Sequence, residues 1–463
     1  MRLFWISLLP ILALSAAEPA DLVVSAGAVI TMDAAGHIIP NGAVAVRGGR
    51  ILAVGPAGEI ARRFHARRRI QRPDALLTPG LVNGHTHAPM SLLRGIADDV
   101  PLQTWLERFI FPAEARNVDE AFVRAGARLA MLEMMLGGIT TYADMYYFEH
   151  AIAEETQKAG MRAVLGQTII GFPAPDFKTP QQALEAAERF IRAWRGHPLV
   201  TPAVAPHAIY TTDAATLGAT RDLANRYGVP VHIHVSETKK ENDDSLRQHR
   251  LTPVAYLDSL GFFSGRTILA HMVWARSSDL RLLEDRPAGI VHCPSSNSKL
   301  ASGLPDYRAW LASRLPIGLG TDGPAGSNND LNLFEEMDLA SKFAKVSTGD
   351  PTVFPAEKIF RMATIEGAKV LGMEKEIGSL EPGKRADFIT VSLTAPHAIP
   401  AHDPYSMLVY SLKAEDVRDV VIEGRITVLD RRPLTLDPAR IAREAAAFRA
   451  RVAASLASAP LQD

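Results

Sequence analysis

One cysteine, Cys293, is all that 463 residues contain. That excludes an intrachain disulfide, a Cys-rich zinc finger and a cysteine-ligated iron–sulfur cluster. No charge of one sign prevails either: 50 Lys and Arg stand against 51 Asp and Glu, a formal net charge of −1. A protein that neutralises a nucleic-acid backbone needs a basic bias, so nucleic acid is not an expected partner. After the N-terminus no run of about 18 apolar residues occurs, which excludes a polytopic membrane protein. What the chain has in quantity is core material. Hydrophobic residues make up 47% of it, enough for a large interior and two or three folding units.

The N-terminus opens Met1-Arg2-Leu3-Phe4-Trp5, stays apolar through Ile11-Leu12-Ala13-Leu14 and leaves by Ser15-Ala16-Ala17. One positive charge, an apolar stretch and a small-residue exit form a secretory signal peptide pattern over residues 1–17. Cleavage after about Ala17 would put the mature chain in the periplasm or outside the cell, with no membrane attachment after processing. A retained anchor is the alternative reading.

Residues 18–77 hold short β-rich runs punctuated by Gly and Pro, which read as a small antiparallel sheet. Similar runs return in 379–435, at Ala386–Val391 and Val417–Gly424. Neither set suffices alone, so both ends of the chain are expected to build one composite β-sandwich. Arg67-Arg68-Arg69 reads as a solvated turn. From Pro438 the tail, within 436–463, is Ala- and Arg-rich with a helical pattern.

Between these ends, over 78–378, short apolar runs alternate with amphipathic stretches, the mark of βα units. Candidate strands begin at Leu81, Thr140, Arg162, Thr201, Val231, Thr267, Gly289 and Ile317. Eight such units fit a closed (β/α)8 barrel of the α/β class. A doubly wound open sheet is less favoured, because no Gly-x-Gly-x-x-Gly turn follows the first strand.

A barrel presents its chemistry at the C-terminal ends of its strands. Those ends carry His85-Thr86-His87, Pro206-His207, His232-Ile233-His234 with Glu237, Ala270-His271 and Gly320-Thr321-Asp322-Gly323. Residues i and i+2 of a strand face one side, so His85 and His87 can aim two imidazoles at one ion. With His234 and Asp322 they make a three-nitrogen, one-oxygen set, suited to a divalent zinc or iron with room for a water. His232 shares the inward face with His234. His234 is nearer the exit and precedes Glu237, so it is taken as the ligand and His232 as a neighbouring core histidine. Cys293 and the Met131–Met135 stretch read as packing.

Pro79-Gly80-Leu81-Val82-Asn83-Gly84-His85-Thr86-His87 resembles the opening motif of the metal-dependent amidohydrolase superfamily. His87 through Gly95, with Asp99, Leu102 and Trp105-Leu106, resembles the 5-methylthioadenosine/S-adenosylhomocysteine deaminases more narrowly. So do Gly320–Gly323 with Ser327–Leu331, and Ser296-Asn297-x-Lys299-Leu300. The resemblance implies one divalent metal, zinc first and iron second, on His85, His87, His234 and Asp322. It implies that Asp322 accepts the water proton, that His271 orients the water, and that Glu237 carries a proton to the purine ring nitrogen. No Lys ends the fourth strand, where binuclear relatives carry a bridging Lys, so one metal is expected. Glu114 would accept ribose hydroxyls and His207 would contact the nucleoside. Gln167 stands where some members carry an Arg. The expected activity is hydrolytic deamination of an adenosine-type nucleoside, in a homo-oligomer. The alternatives are an aminohydrolase or chlorohydrolase of another heterocycle (guanine, pterin, triazine), or a non-catalytic barrel.

Overall fold

The computed structural model describes residues 17–458; of the expected signal segment, residues 1–16 lie outside this range. Two sheets organise the chain. The first is built from both ends. Its N-terminal strands are β1 (Glu18–Ile30), β2 (Ile38–Pro40), β3 (Gly42–Arg47), β4 (Arg50–Pro56) and β5 (Phe64–Pro79). The second sheet is the closed barrel of β6 (Leu81–Thr86), β7 (Ile139–Tyr146), β8 (Arg162–Ile169), β9 (Val200–Pro206), β10 (Val231–Val235), β11 (Thr267–His271), β12 (Ala288–His292) and β13 (Ile317–Leu319). The chain then returns to the first sheet through β14 (Phe388–Ser392), β15 (Val417–Ile422), β16 (Arg425–Leu429) and β17 (Arg432–Pro433).

All eight expected βα strands join the barrel, each parallel to its neighbours, and the pairing Leu319↔Asn83 closes the ring. Their side chains are buried throughout except for Thr201, as a strand enclosed by helices outside and packed layers inside requires. Met131, Met134 and Met135 are fully buried on the helix Glu120–Leu136, and Cys293 is a buried free thiol.

The composite sheet has nine strands in one continuous array. It curls, so that Val44, Val46 and Ile51 from one end share a core with Phe388 and Val421 from the other. Two details differ from expectation. The sheet is mixed, because β1 and β5 run parallel, with Val23 opposite Arg69. Parallel neighbours need a crossover, and β2 to β4 plus the helix Ala57–Arg63 supply it. Arg67-Arg68-Arg69 also lies within β5 rather than in a turn, its side chains solvated as expected. From Pro438 to Ser458 the tail is a helix; it packs on Glu120–Leu136 and braces the helix Phe111–Asn117, where Ser455 Oγ accepts from Asn117 Nδ2 at 2.8 Å.

The two units meet at the floor of the barrel. Arg162, at the start of β8, donates to Asp387 at 2.6 Å and to Glu423 at 2.5 Å. Arg162 and Asp387 are 3% and 2% exposed, so this contact is desolvated as well as charged. At the same level β5 runs through Gly80 directly into β6. A Cβ on Gly80 would fall 2.1 Å from Thr140 Oγ1, so only glycine lets the chain pass that close to β7.

Candidate active site

The barrel mouth gathers side chains from strands far apart in sequence. One ligand atom each from His85, His87, His234 and Asp322 lies within 4.8 Å of the others. His85 stands on β6, His87 follows the strand's last residue, and His234 faces them from β10. Asp322 follows β13 and is fixed by its own amide, which donates to the His85 carbonyl at 3.0 Å. Gly320 makes room for this: a Cβ there would lie 2.6 Å from Val291 and 3.0 Å from the His85 Cβ.

The outer nitrogen of each imidazole is engaged. His87 Nδ1 pairs with the Met145 carbonyl at 2.7 Å and His234 Nδ1 with the His207 carbonyl at 2.8 Å. His85 Nδ1 pairs with His232 Nε2 at 2.9 Å. His232 therefore lies one layer deeper, orienting His85. The three Nε2 atoms are thereby turned inward. His85 Nε2 is buried and makes no hydrogen bond, while His87 Nε2 and His234 Nε2 face each other at 3.2 Å. Asp322 Oδ1 is 3.2 Å from both His85 Nε2 and His87 Nε2. Converging lone pairs with no donor between them are what a cation satisfies, and the orienting partners fix the tautomers as in metal-ligating histidines. Burial and the neighbouring imidazoles hold His234 far below the ordinary imidazole range. His87 is the exception: against burial, the Asp322 carboxylate draws it up to about 9. The donor set fits one divalent ion.

Around this cluster the backbone is turned sharply. His271, Asp322 and Ser236 sit at φ 72°, 61° and 52°, left-handed values that cost non-glycine residues energy and concentrate at functional sites. His271 Nδ1 pairs with Asn297 Oδ1 at 2.9 Å, leaving Nε2 3.9 Å from Glu237. Burial raises the Glu237 carboxyl above its usual range. His207 follows β9, its ring centroid 4.8 Å from that of His234. Glu114 is on the helix Phe111–Asn117; Tyr146 and Tyr147 donate to its two oxygens at 2.7 and 3.3 Å. Burial pushes Glu114 up to about 7. His271, Glu237, His207, Glu114 and the two tyrosines line one pocket with His87, His234 and Asp322. Gln167 does not reach it; its amide donates to Asp176 at 2.8 Å.

Several contributors escape a reading of the sequence. Asp144, just past the expected end of the β7 strand, accepts from Thr86 Oγ1 and from the Ala88 amide, both at 2.6 Å, and so clamps His87 from either side. Its position at a strand exit was the available signal. Ser296 donates to Asp322 at 2.7 Å. Glu241 accepts the amides of Ser236 and Glu237 at 2.9 and 2.8 Å. In sequence, Thr238-x-x-Glu241 looks like an ordinary helix capping box, and Thr238 does accept the Glu241 amide. Only the fold shows the carboxylate reaching further back, to aim Glu237.

The chain matches the model of the Amidohydrolase family over residues 76–427, and an imidazolonepropionase-like composite domain model over 42–66. It is 44% identical over 418 residues to a 5-methylthioadenosine/S-adenosylhomocysteine deaminase of Syntrophobacter fumaroxidans, spanning 90% of this chain and 95% of that one. Among solved structures it is similar to a zinc-bound adenosine deaminase from Xanthomonas campestris, at 39% identity and a TM-score of 0.93, over 95% of this chain and 100% of the other. A zinc-complexed atrazine chlorohydrolase from Arthrobacter aurescens aligns at 25% identity and a TM-score of 0.85, over 92% and 100% of the two chains. The closed barrel, the composite sheet, the converging His/His/His/Asp cluster and these matches together place the chain in the amidohydrolase family.

Proposed function

We propose that this protein is a metal-dependent hydrolytic deaminase that replaces the exocyclic amino group of an adenosine-type nucleoside with oxygen. The observation that carries the reading is one pocket with a metal-fitting cluster at its base and a buried carboxylate, Glu114, on its wall. The deaminase relatives support it. His85, His87, His234 and Asp322 would hold one divalent ion, zinc in our reading, as in the Xanthomonas neighbour. Bound there, it supplies the Lewis acidity that lowers the pKa of a coordinated water from 15.7 to about 7.

The chain's own groups do the rest. Asp322 accepts the proton that the attacking water gives up. His271, held by Asn297 through its Nδ1–H, presents Nε2 to accept a hydrogen bond from that water and so orients it. Glu237 carries a proton to the adjacent ring nitrogen, for which a buried carboxyl with a raised pKa is suited. The proton taken up by Asp322 passes to the amino nitrogen; the C–N bond breaks, ammonia leaves, and the hydroxyl proton of the adduct returns to Glu237 as the ring carbonyl forms. Glu114 accepts ribose hydroxyls, and His207 contacts the nucleoside.

Turnover of adenosine or 5′-methylthioadenosine by the zinc-loaded chain, with stoichiometric ammonia, tests the reading. Inertness across both would reject it. Glu114→Ala separates it from other heterocycles: unchanged turnover in that variant would reject the nucleoside assignment. The signal pattern over residues 1–17 supports an exported mature chain, periplasmic or secreted, and N-terminal sequencing that finds Glu18 first would agree. A homo-oligomer is expected by resemblance, and sedimentation measures it.

A further inference from the structure

The pocket opens outward, and what lies at its exit bears on which nucleosides enter. Phe111 is three residues before Glu114 on one helix, so the two share a face. Phe111, Leu106 and Tyr210 line both the pocket and an adjoining groove. The groove therefore adjoins the pocket on the side of Glu114, next to the ribose position proposed above. Phe172 and Ile209 continue the apolar wall. Phe172 packs edge-on against Phe111 at 5.1 Å, and Phe172 and Tyr210 keep 37% and 36% of their surface exposed. A thioether or an alkyl group laid there would cover apolar surface.

A carboxylate would find no such reception. None of the described residues lining the pocket is lysine or arginine. Lys240 is the one lysine or arginine among the described residues lining the groove, and its ammonium is 2.6 Å from Asp244; the imidazole of His249 lines it as well, stacked on Tyr256 at 3.8 Å. Lys178 lines neither space and donates to the Ala174 carbonyl of its own turn. The amides of Ser236 and Glu237, backbone donors beside the groove, are already taken by Glu241. Glu107 and Asp244 on the groove wall, with Glu114 behind them, add charge of the same sign.

We propose that this site selects adenosine-type nucleosides whose 5′ extension carries no carboxylate, and discriminates against those that end in an amino acid. The inference rests on the nucleoside reading above and deepens it. An acid entering the groove loses water without gaining a free cation, whereas a methylthio group gains an aromatic surface.

Three substrates compared on the zinc-loaded full chain test it: 5′-methylthioadenosine, S-adenosylhomocysteine, and the 5′-aminopropylthio analogue, which lacks only the carboxylate of the second. We expect kcat/KM for methylthioadenosine to exceed that for S-adenosylhomocysteine by about tenfold or more, and the analogue to fall within about threefold of methylthioadenosine. Equal turnover of S-adenosylhomocysteine and methylthioadenosine would overturn the proposal while leaving the deaminase reading intact. So would a selective loss of S-adenosylhomocysteine turnover in Lys240→Ala, since it would reveal Lys240 as an available cation. Turnover of adenosine with inertness toward all three would overturn the inference and keep the nucleoside reading; inertness toward adenosine as well would remove both.

Discussion

The two ends of the barrel bury charge in opposite ways. At the floor, Arg162 meets Asp387 and Glu423, and its remaining donor reaches the Pro198 carbonyl at 2.6 Å. At the mouth, buried polar atoms go unpaired: His85 Nε2, Asp144 Oδ2, Glu149 Oε2 and Asn297 Nδ2. Buried polar groups cost free energy unless partnered. At the floor, Arg162 obeys that rule and joins the two units. At the mouth, His85 Nε2 stays unpaired while facing Asp322 Oδ1 at 3.2 Å, where a cation fits. The first contact is complete within the chain; the second is a set of ligand atoms shaped for an ion.

The contrast can be broken from either end. Asp322→Asn removes the mouth's carboxylate ligand. It should cut kcat/KM by roughly 10⁴-fold or more and lower the bound metal measured by elemental analysis; near-normal turnover with one metal per chain would end the metal-site assignment. Arg162→Met acts on the floor. It strands Asp387 without its partner and should cost about 3–5 kcal/mol in a denaturant titration, while the folded fraction keeps its metal and its KM. A floor variant as stable as the parent would show that the ion pair does not join the units.

Two smaller effects sharpen the comparison within the mouth. Glu241→Gln keeps one acceptor but opposes an amide N–H with a second donor. It should lower kcat roughly 10- to 100-fold, with KM and metal content little changed, because Glu237 loses its aim; a change in KM alone would contradict that role. Last comes pH. Burial lifts Glu114 to about 7, so the carboxylate proposed to accept ribose hydroxyls is present above that pH and is lost as pH falls through it. KM should rise on the acid side, up to about tenfold per pH unit, and stay flat in Glu114→Gln. A KM independent of pH in the parent would sink the prediction.

Much of this was legible in the chain. The barrel strands could be found because each buried β run is short, apolar and bounded by helical periodicity. The candidate ligands could be found because His85 and His87 are two residues apart at a strand's exit and Asp322 lies just past another strand. Other features resisted for identifiable reasons. Local pattern says nothing about strand direction, so the parallel pairing of β1 with β5 depends on the crossover between them. Alternation in β5 is masked by three solvated arginines, Arg67 to Arg69, which mimic a turn. Glu241 was hidden because one spacing serves both a helix cap and a clamp on the preceding loop.

The sequence by itself determined which residue types could hold a divalent ion and where along the chain strands end, since alternation and spacing are local properties. Closure of the ring was a tertiary matter. Only it brought His234 and Asp322 to His85 and His87, turned their outer nitrogens onto Met145, His207 and His232, and left the inner ones facing one another. Distances between residues hundreds of positions apart are set by packing, and so is the difference between a buried group with a partner and one that awaits it.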